Sequence, residues 1–214
     1  SNGAGGIDPN VGGTTIGNEF GFLRPNSNGT PYSAWTGGAN AYNSDGVYAT
    51  IATDEGQQSY GNFGFVIPTN NQIKGIQVRL EASASAVVGS ISAKLSWDGG
   101  SSVTTLQDTG LPGTTDTVYN LGGPEDTWGR SWTPAEMNDG NFTLELIGNT
   151  EGNTISLDAV QVKVFFQASG GRRGGGGGVG MIESNQYFAN VASAVNNVGN
   201  FWANIIDRLL GWWE

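Results

Sequence analysis

Apolar residues alternate with polar ones through most of the chain, and only near the C-terminal end do they recur with helical spacing. Alternation predicts β-strands, because successive side chains of a strand point to opposite faces of its sheet. Turn signals such as Asp45-Gly46 and Asp98-Gly99 separate the alternating runs. The clearest of these runs are Phe63–Ile67, Ile73–Leu80, Ile91–Trp97, Phe142–Leu146 and Leu157–Phe166, the last with one slip in its pattern.

These runs predict a mainly β fold over residues 19–167, an antiparallel two-sheet jelly-roll sandwich. Gly75 interrupts one of the strands and marks an expected β-bulge. A brief helix is expected at Thr133–Met137, because Thr133 can cap it and Pro134 is tolerated in a first helical turn.

Residues 181–214 show a different spacing, with apolar residues at every a and d position over about three and a half heptads. The e and g positions are mostly apolar too, so the face is too wide for a single partner helix. The pattern predicts a separate C-terminal amphipathic helix that associates with copies of itself. Its predicted assembly residues are Phe188, Val191, Val195, Val198, Phe201, Trp202, Ile205, Leu209 and Trp212.

Two other interpretations of this helix stay open: it folds back onto its own β-domain, or it lies on a membrane surface. A glycine-rich linker at residues 168–180 is long enough for the first. At the other end, residues 1–18 predict a flexible arm or a strand-donating one, in which Ile7, Val11 and Ile16 would fill a neighbour's pockets. Because the chain begins with Ser1, we expect processing, such as removal of a signal peptide.

Composition narrows the function classes. The chain has no cysteine and no histidine, which removes disulfides, thiolate metal sites and catalysis by a Ser-His-Asp triad. Its net charge of −10 disfavours nucleic acid, whose phosphates require a basic surface. No apolar run is long enough to span a bilayer. We therefore expect an extracellular or cell-surface protein that is not an enzyme and has copies of itself, and glycans, as partners.

Three segments carry a resemblance to a known class of domain. They are WGRSWTPAE at 128–136, NFTLEL at 141–146 and LDAVQVKV at 157–164. The chain resembles jelly-roll modules of extracellular surface and phage-associated proteins, which are similar to carbohydrate-binding modules, over about residues 30–166. The resemblance implies a structural calcium ion near the last strand, with Asp158 as a candidate ligand. No other cofactor is expected.

Trp128 and Trp132 flank Arg130 in a loop, so they are the candidates for a glycan-binding platform, with packing in the core as the alternative. The main functional prediction is a structural subunit of an extracellular homopolymer, such as a filament, tube or surface appendage. Its C-terminal helices would bundle in the core, with the acidic β-domains outside. The alternative is an oligomeric carbohydrate-binding or phage or surface adhesion module.

Overall fold

The computed structural model describes residues 18–19, 21–110 and 112–168. Within these ranges the chain forms ten β-strands, a 3₁₀ helix at Gly38–Tyr42 and one α-helix, α1, at Pro134–Asn138. The strands build two antiparallel sheets, A and B, so the predicted mainly β sandwich is confirmed. The predicted assembly helix and the residues Ile7, Val11 and Ile16 of the predicted arm lie outside the described residues.

Sheet A is built around two strands of 14 residues each that pair along their whole length. Both have near-continuous apolar faces, and Ile76 and Leu80 are fully buried against the other sheet. In spatial order the sheet contains β1 (Asn18–Glu19), β10 (Ile155–Ala168), β5 (Asn71–Ala84) and β8 (Thr117–Gly122), and β3 (Ala49–Ile51) also pairs with β10.

Sheet B supplies the other half of the core. Leu95, Leu144 and Leu146 are fully buried, while the residues that alternate with them point to the opposite, outer face. In spatial order the sheet contains β2 (Ser27–Ser33), β4 (Gly56–Gly61), β9 (Thr143–Asn149), β6 (Ser90–Ser96) and β7 (Gln107–Asp108).

Two irregularities that the sequence predicts occur where expected. Phe165 pairs with Gly75 and Phe166 with Ile73, so β5 carries one extra residue beside Gly75. A Cβ atom at Gly75 would lie 2.1 Å from the carbonyl oxygen of Gly123, which explains why glycine occupies this position. The slip in the last run is also a bulge, between Leu157 and Ala159.

The run Phe63–Ile67 is a partial exception, because its burial alternates as predicted although the segment pairs with no strand. Phe63, Phe65 and Ile67 are all buried. The side chain of Asn138 takes the place of a strand here: its Oδ1 accepts from the Ile67 amide at 2.9 Å and its Nδ2 donates to the Ile67 carbonyl at 2.8 Å. An extended segment can therefore fill the core without joining a sheet.

The brief helix is confirmed one residue further along the chain than predicted, at Pro134–Asn138. The Thr133 hydroxyl accepts from the Glu136 amide at 3.3 Å, and the Glu136 carboxylate accepts from the Thr133 amide at 2.8 Å. These reciprocal bonds form a capping box, which satisfies amides that a helix start leaves without partners. The box fixes the loop that enters α1.

Candidate functional site

The structure places both candidate platform tryptophans in the core, which is the alternative that the sequence left open. Trp128 is 1% exposed and Trp132 is 5% exposed. Each indole N–H is already used: that of Trp128 donates to the Ile76 carbonyl at 3.0 Å and that of Trp132 to the Thr127 carbonyl at 2.8 Å. Neither residue offers an open ring face on which a sugar could stack.

Trp132 nevertheless anchors a rigid wall at one end of the sandwich. Its ring meets those of Trp97 and Phe142 edge to face, at centroid distances of 6.1 and 5.8 Å. The Arg130 guanidinium lies over Trp97 at 3.7 Å and over Trp132 at 4.4 Å, and it pairs with Glu136 at 2.7 Å. Stacked cations and edge-to-face rings hold such a loop in one conformation.

Electrostatics tie this wall to α1. Burial works to raise the pKa of the Glu136 carboxyl, but the bonds from Arg130 and Thr133 outweigh it, and the pKa falls below its usual value. The carboxylate is therefore ionised and paired at neutral pH, where it joins the loop to the helix start.

Against this wall lie two adjoining clefts, of ≈ 490 Å³ and ≈ 340 Å³, which share Gln72 and Trp132. We call them together the Trp132 cleft. Both volumes lie within the range of about 300–1,000 Å³ that is usual for small-ligand pockets. The first is lined by Thr69, Asn71, Gln72, Trp132, Thr133, Pro134 and Ala135, and the second by Gln72, Ile73, Lys74, Glu125, Thr127, Ser131 and Trp132.

The Trp132 cleft presents hydroxyl, amide, ammonium and carboxylate groups. Its one lysine and one glutamate, Lys74 and Glu125, carry opposite charges, so the lining has no excess of either sign. The Lys74 ammonium donates to the Gln72 side-chain oxygen at 3.2 Å, which orients both groups at the start of β5. A ligand with many hydroxyls could pair with such donors and acceptors at the same time.

Sequence reasoning did not find Gln72 and Lys74. They lie on a strand whose alternation is visible, but nothing in the local sequence says that the loop before α1 packs beside them. Only Trp132 connects the predicted platform with the observed cleft, and it does so as part of the wall.

A second unusual group is Glu145 on the outer face of sheet B. The residue is 3% exposed, and its Oε1 has no hydrogen-bond partner within the described ranges. Burial raises the pKa of the Glu145 carboxyl, the positive charge of Lys94 on β6 opposes this, and the negative charge of Asp98 adds to it. A buried carboxyl of this kind is stabilised in its neutral form.

Asp158, the candidate calcium ligand, is 3% exposed. Its Oδ1 accepts from the amides of Asp45 and Gly46, at 3.2 and 2.9 Å, so the carboxylate already holds the loop before β3. Among the residues described, no group of three or more acidic side chains is placed to hold a metal ion. Calcium at Asp158 therefore stays a prediction, and the fold gives this carboxylate a structural role.

The same loop is fastened at its other end. The Tyr48 hydroxyl donates to Asp116 at 2.6 Å, and the Ser83 hydroxyl donates to the other oxygen of that carboxylate at 2.8 Å. The bond to Asp116 raises the pKa of Tyr48 to about 12.

Among the described residues, no helix is long and apolar enough to cross a membrane.

The β-sandwich is similar to several solved structures. It matches the C-terminal CBM6 of LamC, a marine laminarinase from Zobellia galactanivorans, with 11% identity and a TM-score of 0.38, over 69% of this chain and 99% of that one. It matches Family 16 Carbohydrate Binding Module-2 with 12% identity and a TM-score of 0.35, over 63% and 86%. A third match is the enzymatically active domain of bacteriophage CBA120 tailspike protein 4, with 10% identity and a TM-score of 0.37, over 70% and 20%. No protein-family model and no curated protein matches the chain.

These resemblances correct the main functional prediction. Carbohydrate-binding modules recur among the matches and favour the alternative, so the prediction of an extracellular homopolymer subunit is wrong. The physical weakness of that prediction is that an apolar seam shows a surface that needs cover but does not show what covers it. The predicted self-association of the C-terminal helix lies outside the described residues and stays a prediction.

Two of the three matches are binding modules, while the third belongs to an enzymatically active domain. Whether this chain catalyses a reaction stays at the level of the sequence prediction. At these low identities the matches concern the fold, so the case for a ligand rests on the side chains of this chain.

Proposed function

We propose that the chain is a carbohydrate-binding module whose ligand occupies the Trp132 cleft. The observation that supports this is a cleft of suitable volume, lined by hydroxyls, amides and one charge of each sign, beside a wall fixed by edge-to-face rings. Preformed polar groups on a rigid wall lower the entropic cost of binding a polyhydroxylated ligand. Such a module fits an extracellular or cell-surface location.

The lining also suggests the class of glycan. Lys74 and Glu125 balance each other's charge, and the remaining polar groups are neutral. A polyanionic sugar would meet Glu125 and the acidic surface of a chain with net charge −10. We therefore expect a neutral polysaccharide, held mainly by hydrogen bonds to its hydroxyl groups.

The test is affinity electrophoresis and calorimetry of the full chain against neutral glucans, xylans, mannans and galactans and against acidic polysaccharides. At least one neutral polysaccharide should bind. Lys74→Ala and Gln72→Ala should each weaken that binding about fivefold or more, because each removes a polar contact of roughly 1 kcal/mol or more. We avoid Trp132 as a test, since its ring is part of the core.

The matched control is Lys94→Ala, which removes the same charge on the outer face of sheet B, away from the residues that line the cleft. It should leave affinity unchanged. Loss of binding in Lys94→Ala with no loss in Lys74→Ala would reject the cleft as the site. No binding of any polysaccharide by the unaltered chain would reject the proposed function.

A further inference from the structure

The outer face of sheet B has an unusual edge. In β2, Asn28 pairs with Tyr60 and Ser33 pairs with Gln58, so the four residues between them in β2 stand opposite the single residue Ser59. We call this segment, Gly29–Tyr32, the strap. Three residues in excess of a regular ladder cannot lie flat in the sheet, and bulges of this kind bend an edge strand away from its partner.

The strap reaches toward the turn that follows β6. A Cβ atom at Gly100 would lie 2.5 Å from Pro31 Cγ and 3.0 Å from Glu145 Oε1, so the glycine backbone packs against both residues. Glu145 stands between Ser59 of β4 and Lys94 of β6 in the ladder, on the outer face. Pro31 and Gly100 together therefore cover a carboxyl that would otherwise face solvent.

What lies beneath this cover is poorly satisfied. Glu145 Oε1 lies beneath the cover and is buried without a hydrogen-bond partner among the described residues, and so is Thr143 Oγ1 further along the outer side of β9. A buried polar atom without a partner costs about 1–3 kcal/mol, and a charged one costs more. The cover thus closes over a carboxyl that would gain from contact with water.

The strap itself is weakly held. Thr30, Pro31 and Tyr32 are exposed. Within the strap, the Tyr32 amide donates to the Ser59 hydroxyl at 3.2 Å. Local opening requires few buried contacts and few hydrogen bonds to break, and edge segments of this kind open at lower free energy than the core.

We propose that the strap is a pH-dependent cover over Glu145, closed while that carboxyl is protonated and released when it ionises. Release would expose Glu145 and its ladder neighbours Ser59 and Lys94 as one polar surface. The proposal is independent of glycan binding in the Trp132 cleft.

The direction of the effect follows from the groups around Glu145. Burial and Asp98 raise the pKa of this carboxyl and Lys94 lowers it, with a net rise in the closed state. Ser59 of β4 and Pro31 of the strap bring no charge to it. Opening returns the carboxyl to water and its ordinary pKa, so protons favour the closed state and rising pH favours the open one.

The experiment is amide hydrogen exchange by NMR on the full chain between pH 4 and pH 7, expressed as protection factors. Each unit of difference between the pKa values of the two states changes the opening equilibrium by up to about tenfold. We expect protection of the Tyr32 amide to fall as pH rises across this range. Protection of the Val162 amide, which donates to the Leu23 carbonyl on sheet A at 2.9 Å, should not follow it.

Glu145→Gln should remove the pH dependence at Tyr32. The same slope in this variant, a flat profile in the unaltered chain, or an equal change at Val162 would each overturn the proposal.

Gly100→Ala gives a second test that leaves Glu145 intact, because its methyl group would clash with Pro31. Gly99→Ala is its control, since Gly99 has φ +73 and open space around it while Gly100 has φ +97. Both variants bear backbone strain, and only Gly100→Ala should lower protection of the Tyr32 amide at every pH.

Discussion

On the outer face of sheet A, Arg79 and Lys163 approach the ring of Phe22 at 3.7 and 5.6 Å, and Lys163 also pairs with Glu19 at 2.7 Å. On the outer face of sheet B, Lys94 belongs to no ion pair between described residues. Phe22 and Glu19 thus lie over part of the outer face of sheet A. The bridge between Leu23 and Val162 continues the edge of that sheet. The cations on the outer face of sheet A hold a neighbouring segment of the chain, whereas Lys94 on the outer face of sheet B holds none by an ion pair between described residues.

The two sheets also differ in how they accommodate a buried carboxyl. Asp158 and Glu145 are each 3% exposed, but Asp158 accepts two backbone amides while Glu145 Oε1 accepts nothing within the described ranges. A satisfied buried carboxylate stabilises the loop it bonds, whereas an unsatisfied one favours its neutral form and any motion that lets water in. Burial alone therefore does not show whether a charged residue supports the fold.

The largest effect we expect comes from Asp158→Ala, which leaves the Asp45 and Gly46 amides without their acceptor. The free energy of unfolding, measured by urea denaturation, should fall by about 2–4 kcal/mol. Asp158→Asn keeps an acceptor oxygen and should lose roughly half as much. Equal stability of Asp158→Ala and the unaltered chain would show that water replaces the carboxylate at no cost.

A smaller effect should follow from Phe22→Ala, because it removes a ring that two cations approach. We expect a loss of about 1–2 kcal/mol in the same urea experiment. Tyr32→Ala on the other face is the matched control: Tyr32 is 37% exposed and its ring should contribute less than about 0.5 kcal/mol. Similar losses from the two variants would remove the distinction between the faces.

The smallest effect has the opposite sign. Glu145→Gln should raise the free energy of unfolding at pH 7 by about 1 kcal/mol, since it removes a charge that the fold leaves unpaired. Because the folded state raises the pKa of Glu145, it binds the proton more tightly than the unfolded chain. The unaltered chain therefore loses stability as pH rises from the ordinary value of glutamate through the raised one, and the variant should not.

Glu136→Gln tests the opposite pH dependence of stability in the same urea experiment. The pKa of Glu136 is lowered, so its contribution is present above the ordinary value of glutamate and disappears as pH falls through the lowered one. Urea denaturation of both variants at several pH values checks both signs. If Glu145→Gln proves less stable than the unaltered chain at pH 7, a partner group stabilises the carboxylate in its charged form.

Alternation of apolar residues was enough to predict the long strands and the slip before Ala159, and a glycine within a strand predicted the bulge at Gly75. It was not enough for β4, a central strand of sheet B whose sequence is GQQSYG. Gln58 is fully buried there because its oxygen accepts from the Trp35 amide at 3.3 Å and its amide donates to Asn28 at 3.2 Å. A polar strand can enter a core only when residues distant in sequence supply its partners, and no local pattern reports that.

The candidate site also combines a residue that the sequence identifies with residues that only the structure reveals. Trp132 was identified from its residue type and loop, but its burial and the adjoining Gln72 and Lys74 depend on how the loop before α1 packs on β5. The sequence by itself determined the mainly β class, the turns and the absence of histidine and cysteine chemistry, because these depend on composition and short-range periodicity. The tertiary structure decided which tryptophans are enclosed, which carboxyl is satisfied and where a cleft opens, because each depends on contacts between segments far apart in the chain.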